Sequence, residues 1–179
     1  MSEQRPAASE STRAEGQALA RAGWESVARE AAHREAAAPE YLQQLLTFEL
    51  DGAPYALAVE RVREIVRVRP ITPVPRVPED VRGVISLRGE IVQVVDLRRR
   101  LGLEPVAATR ASRIVVVHAG DDRIAGLLVD AVREVVSVRE DALRPAPGES
   151  DAVEALCVRG EEFVSLVDLD RVLAVDAHE

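Results

Sequence analysis

Two aspartates stand at matched places in the chain, Asp96 in Val95-Asp96-Leu97 and Asp168 in Val167-Asp168-Leu169. Paired carboxylates from related halves can share a proton and do acid–base work if a small flexible turn after each lets them meet. Here Leu97-Arg98 and Leu169-Asp170 follow, and both lead into short helical patterns. The spacing therefore predicts that Asp96 and Asp168 cap helices and form no catalytic pair. His33, His118 and His178 lie far apart in unlike contexts, which argues against a metal cluster or a histidine-based triad. All 23 basic side chains are arginine, and the missing lysine removes both the phosphate-binding Walker loop and every Schiff-base mechanism. The lone Cys157, within Ala155-Leu156-Cys157-Val158, reads as an inert core residue on a strand. No catalytic residue, cofactor or metal is expected.

The elements that must carry any other function begin near Gln43. Residues 1–43 are rich in Ala, Glu and Arg, and Ala20, Trp24, Val27 and Ala31 share one face at helical spacing. That stripe predicts a partly helical, loosely attached arm. From Leu45 the pattern becomes β: Thr47–Leu50, the turn Asp51-Gly52, then Tyr55–Leu57. Further strands are predicted at Val62–Arg69, Val84–Leu87 and Ile91–Val95, with Arg88-Gly89 as the turn between the last two. Asp96 then opens a short helix that Gly102 stops.

The second half repeats the first. Val62-Arg63-Glu64-Ile65-Val66 matches Val132-Arg133-Glu134-Val135-Val136 at an offset of 70. Arg88-Gly89-Glu90 matches Arg159-Gly160-Glu161 at 71, and Val95-Asp96-Leu97 matches Val167-Asp168-Leu169 at 72. A long repeat present twice predicts two similar subdomains, about 44–104 and about 105–179, each a small closed or nearly closed β-barrel. Within the first, Glu64 interrupts the apolar face Val62-Glu64-Val66-Val68, so it needs a partner or a place at the rim.

Charge narrows the partners. The 179 residues carry a net charge of −8, with +1 over residues 47–104, −7 over 105–179 and −2 before them. An acidic chain with 3% aromatics lacks the attraction and the stacking platforms that nucleic acid binding uses. The contrast between halves suits protein–protein contact. No apolar run approaches the roughly 20 residues needed to cross a bilayer. MSEQRPAASE has no apolar segment of a secretory signal, so a cytoplasmic place is expected.

The run GVISLRGEIVQVVDLRRRLGL, Gly83 to Leu103, closely resembles the signature segment of the CheW adaptor family of bacterial chemotaxis. Val62-Arg63-Glu64-Ile65-Val66 and Arg144-Pro145-Ala146-Pro147 resemble further family landmarks in the same order, so the likeness spans about residues 44–175. It implies a mainly β fold of two five-stranded barrels with short helices. It implies a non-enzymatic adaptor, without cofactor, that links chemoreceptor cytoplasmic tips to the regulatory domain of a CheA-type histidine kinase. The adaptor would be recruited to membrane-associated receptor arrays without inserting into the membrane, and ring assembly there stays open. The resemblance places receptor or kinase contacts at Val62, Glu64, Ile65, Gly83, Arg88, Gly89 and Ile91, with Glu64 and Arg88 together near a receptor groove. A scaffold of another motility or two-component complex is the alternative, and a small-molecule-binding barrel is a weaker one.

Overall fold

The computed structural model describes residues 42–120, 122–146 and 152–174. The predicted arm, with Ala20, Trp24, Val27, Ala31 and His33, lies outside them except for its last residues, Leu42 and Gln43, which open the first strand; Pro147 and His178 also lie outside. The strands are β1 (Leu42–Leu50), β2 (Ala53–Ala58), β3 (Val62–Arg67), β4 (Val81–Leu87), β5 (Glu90–Asp96), β6 (Arg113–His118), β7 (Ile124–Val129), β8 (Ala131–Arg139), β9 (Leu143–Pro145), β10 (Val153–Arg159) and β11 (Glu162–Val167). One helical turn, α1 (Leu97–Arg100), follows β5, and another, α2 (Leu169–Leu173), follows β11.

Local chemistry accounts for these elements. Val and Ile crowd a helix at Cβ but suit the pleat. Asp51 and Gly52 have φ of 54° and 73°, the left-handed pair that a two-residue hairpin turn requires. β6 carries four consecutive buried residues, Ile114 to Val117, because it is covered on both faces. Ile114 and Val116 join the core inside one sheet, whereas Val115 and Val117 join the core between sheets.

Two sheets form, one ordered β8-β1-β2-β11-β10-β9 and the other β3-β6-β7-β5-β4. Each has its own core: Leu45, Val136, Cys157 and Leu166 in the six-stranded sheet, and Ile85, Val92, Ile114 and Leu128 in the five-stranded one. A third core, with Phe48, Leu57, Leu97, Val115, Leu127 and Leu169, lies between them. Cys157 is buried and unpaired, as its strand context predicts.

The repeat is built by exchange. The hairpin β1–β2 joins β8–β11 of the second half, and the hairpin β6–β7 joins β3–β5 of the first. Register shows the equivalence: β5 meets β7 in parallel with Gln93 opposite Ala125, and β11 meets β2 in parallel with Ser165 opposite Tyr55. The contiguous halves at about 44–104 and 105–179 thus describe the duplication and not the sheets.

The offset of 71 does not survive in the structure. Val84 faces Gln93 in one hairpin and Leu156 faces Ser165 in the other, so 72 holds throughout both. In the first hairpin Arg88 and Gly89 form the turn, with φ of 52° and 88°. In the second, Arg159 is still paired with Glu162, and Gly160-Glu161 turns instead. A two-residue turn is set by which residue takes the left-handed conformation, and that overrides the matching letters.

Candidate functional site

β3 alternates half-buried Val62, Glu64 and Val66 with exposed Arg63, Ile65 and Arg67. A bulge interrupts the β3–β6 register between Val62 and Glu64, beside the carboxylate. There the carboxylate meets the tip of the β4–β5 hairpin. Arg88 Nε donates to Glu64 Oε1 at 3.1 Å and Nη2 to Oε2 at 3.2 Å, a parallel two-bond fork. Glu64 is 20% exposed and Arg88 73%. The hydrogen bonds to Glu64 and its charge hold the Arg88 guanidinium above its ordinary pKa. Beside this fork Arg63 Nη2 pairs with Glu90 Oε2 at 2.8 Å, so two ion pairs tie β3 to the hairpin.

The other predicted contact residues divide into two kinds. Ile65 (41%) and Ile91 (68%) are exposed large apolar side chains on these same two elements. Val62 instead packs half-buried against the core between the sheets. Gly89 supplies the left-handed turn that presents Arg88. Gly83, at φ 133°, faces the backbone of Thr72, which bridges Val84 through two 2.8 Å hydrogen bonds. A Cβ there would overlap the Thr72 carbonyl, so Gly83 serves to pack the 68–80 segment against β4.

The repeat carries a twin of this surface that the sequence reading did not single out. Glu134 accepts from Arg159 Nη1 at 2.7 Å, and Arg133 reaches Glu162 at 3.3 Å and Glu49. Val135 (52%) and Phe163 (64%) take the places of Ile65 and Ile91. The recurring Arg-Glu dipeptide was the available signal.

Asp96 corrects an expectation. It occupies the N-cap position of α1, but its side chain makes no capping hydrogen bond. The carboxylate is buried and turns to Arg82 at 3.4 Å and Arg99 at 3.9 Å, because two guanidinium groups attract a buried anion more than one N–H does. Asp168 does cap α2, accepting from Arg171 N at 3.1 Å. Asp168→Ala should lower stability by about 1 kcal/mol, seen as a melting temperature a few degrees lower by calorimetry.

Arg98 and Asp170, the second residues of α1 and α2, were also missed. Arg98 is buried and grips Asp130, in the β7–β8 junction, with three bonds of 2.8–3.0 Å. It also reaches Asp51 at 3.2 Å and the Glu104 carbonyl at 2.6 Å. Asp170 pairs with Arg61, in the β2–β3 junction, at 2.6 Å. Each short helix thus clasps the place where the chain crosses between sheets, with the charges reversed. Opposite charges at matched positions, Leu97-Arg98 and Leu169-Asp170, carried that signal in the sequence.

Between β5, β7 and α2 lies a cleft of about 830 Å³, lined by Gln93, Val95, Arg123, Ala125 and Val172–Ala174 among others. No group of three metal-ligating side chains occurs among the described residues, and none of their helices is long and apolar enough to cross a membrane.

Comparison with known proteins places this geometry. A family model of the CheW-like domain matches residues 44–177. The chemotaxis protein CheW of Rhizobium meliloti (strain 1021) is 32% identical over 142 residues, 76% of this chain and 91% of the relative. CheW of Bacillus subtilis (strain 168) is 30% identical over 136 residues, 73% and 86% of the two chains. The crystal structure of the scaffolding protein TtCheW from Thermoanaerobacter tengcongensis superposes with a TM-score of 0.71 at 31% identity, covering 75% of this chain and 94% of that one.

Proposed function

The chain belongs to the CheW-like domain family, and on that premise we propose that it is a non-enzymatic adaptor coupling chemoreceptor cytoplasmic tips to a CheA-type histidine kinase. The observation that carries this reading is the family match across residues 44–177, with relatives named for chemotaxis and a solved relative titled a scaffolding protein. The Glu64–Arg88 fork and the exposed Ile65 and Ile91 support it from this chain's own residues. They form a surface of apolar anchors bracketed by ion pairs, the composition that protein interfaces favour. The adaptor would reach the membrane only through receptor arrays.

Reconstitution tests the reading. Adding this protein to receptor fragments and a CheA-type kinase should make kinase output depend on receptor. Unchanged output with every cognate pair would overturn the adaptor role. Within that assay, Glu64→Ala, Arg88→Ala and the double variant form a cycle. Each single change should weaken receptor coupling with the melting temperature nearly unmoved, because Arg88 is exposed and an exposed pair adds little to folding. The double variant should be little worse than either single one, since they break the same fork. Additive losses would mean that Glu64 and Arg88 act separately.

A further inference from the structure

The sequence holds 31 acidic residues but none between 65 and 78 and none between 105 and 120. Antiparallel pairing of β3 with β6 lays these two segments side by side, with Arg67 directly opposite Arg113. Like charges facing one another across a ladder weaken a sheet. The side chains of Arg67 and Arg110 are exposed and, among the described residues, have no hydrogen-bond or ion-pair partner. Arg113 is held by carbonyls alone, donating to Arg110, Ala111 and Ser112 at 2.8–3.0 Å. Arg69 likewise reaches only the Ser86 carbonyl, at 3.3 Å. Carbonyl dipoles orient a guanidinium but leave its unit charge in place. Arg67, Arg110 and Arg113 together line an open cleft of about 820 Å³, with Val68 and Ala108 on its wall.

The fold does not require this cluster. The pairing of β1 with β8 is the twin of β3 with β6, and there the positions of Arg67 and Arg113 are held by Ser137 and Gln44. An uncharged pair thus satisfies the same ladder. Several arginines elsewhere are answered by carboxylates, as in Arg61–Asp170, Arg63–Glu90 and Arg133–Glu49.

We propose that the Arg67–Arg110–Arg113 cleft is a docking site for a carboxylate-rich protein segment. Guanidinium forks match carboxylates in shape and charge, and the small apolar wall suits a polypeptide. A phosphate cradle is disfavoured, because the loop's own hydroxyls take its free N–H groups: Thr109 N donates to Ser112 Oγ at 2.9 Å and Ala111 N to Thr109 Oγ1 at 3.2 Å. Nucleic acid is disfavoured by the −8 charge of the chain and by the absence of an aromatic ring in the cleft. The inference stands apart from the adaptor reading, and its test uses neither receptor nor kinase.

The probe is a fluorescein-labelled decaglutamate peptide, titrated with the full chain in low-salt buffer and read by anisotropy. Arg67→Ser/Arg110→Gln should bind it about tenfold more weakly than the parent. Arg76→Gln/Arg123→Gln removes the same charge from the 830 Å³ cleft beside β5 and β7, which both residues line, and should change binding less than about twofold by the same reasoning. The melting temperature of the first variant should stay level or rise as the repulsion is relieved. The proposal is overturned by no binding to the parent, by equal losses in both variants, or by a melting temperature several degrees lower in the first. Stronger binding of inorganic phosphate or of phosphatidylserine vesicles than of the peptide would also overturn it.

Discussion

Arg98→Met is expected to destabilise the fold by about 2–3 kcal/mol, lowering the melting temperature by about 5–10 °C. The methionine keeps the apolar stem and much of the volume, so the loss reports the charge and its hydrogen bonds. Arg98 is 9% exposed and holds Asp130 and Asp51 together. Without it, a half-buried Asp130 faces Asp51 with only the 2.9 Å Asp51 N–H bond remaining. Arg98→Met/Asp130→Asn should recover part of the loss, because the amide keeps an acceptor and removes the repulsion.

The pH dependence follows from the same clasp. Burial alone would raise the Asp130 pKa, but the Arg98 hydrogen bonds and the Asp51 N–H outweigh it and hold the carboxyl below the usual 3.8. A group whose folded pKa is depressed stabilises the protein above its unfolded pKa, and that stability is lost as pH falls through the folded value. The gap between the parent and Arg98→Met should therefore be widest near neutrality. The part of it that the Asp130 charge supplies should be lost below pH 3.8 as Asp130 protonates, leaving the Arg98 bond to the Glu104 carbonyl. Denaturant titrations of both proteins from neutral to acid pH measure it, and a constant gap would remove Asp130 from the account.

What the sequence made legible was local. Alternating Val and Ile marked the strands, Asp51-Gly52 and Arg88-Gly89 marked turns, and an interrupted apolar face marked Glu64 as needing a partner, which Arg88 supplies. Periodicity reports which face of a strand is covered, not by which strand. Nothing in the alternation of β1 distinguishes β3 from β8 as its neighbour, so the hairpin exchange was not visible. Matching letters misled at Arg159 because the turn conformation, and not the tripeptide, sets register. Arg98 was hidden for a related reason: an arginine in an exposed-looking Leu-Arg-Arg-Arg run is buried only because the β7–β8 junction, where the chain crosses between sheets, lies across it. Asp96 looked like a cap since its position along the helix was right, and the tertiary placement of Arg82, with Arg99 beside it, turned the carboxylate away from the helix N–H groups.

Gly83→Ala is expected to have the larger effect of all, about 3–5 kcal/mol and about 10–15 °C in melting temperature. Three contributions act together. A φ of 133° is strained for any side chain, at about 1–2 kcal/mol. The new Cβ would overlap the Thr72 carbonyl and press on Ile71, so the 68–80 segment must lift from β4. Lifting breaks both hydrogen bonds between Thr72 and Val84 and draws Ile71 away from the core it packs against. Gly89→Ala is the control: its φ is 88° but nothing lies within 4 Å of the added Cβ, so only the backbone strain of about 1 kcal/mol remains. The comparison decides between two roles for Gly83, which the family resemblance placed among the partner-contacting residues. If Gly83→Ala loses partner binding while melting with the parent, the position touches the partner. If its melting temperature falls as expected, with Gly89→Ala close to the parent, binding is lost because β4 no longer presents Arg88 to Glu64. Restoring binding at low temperature, where the variant is still folded, then separates the loss of a positioned hairpin from the loss of a contact.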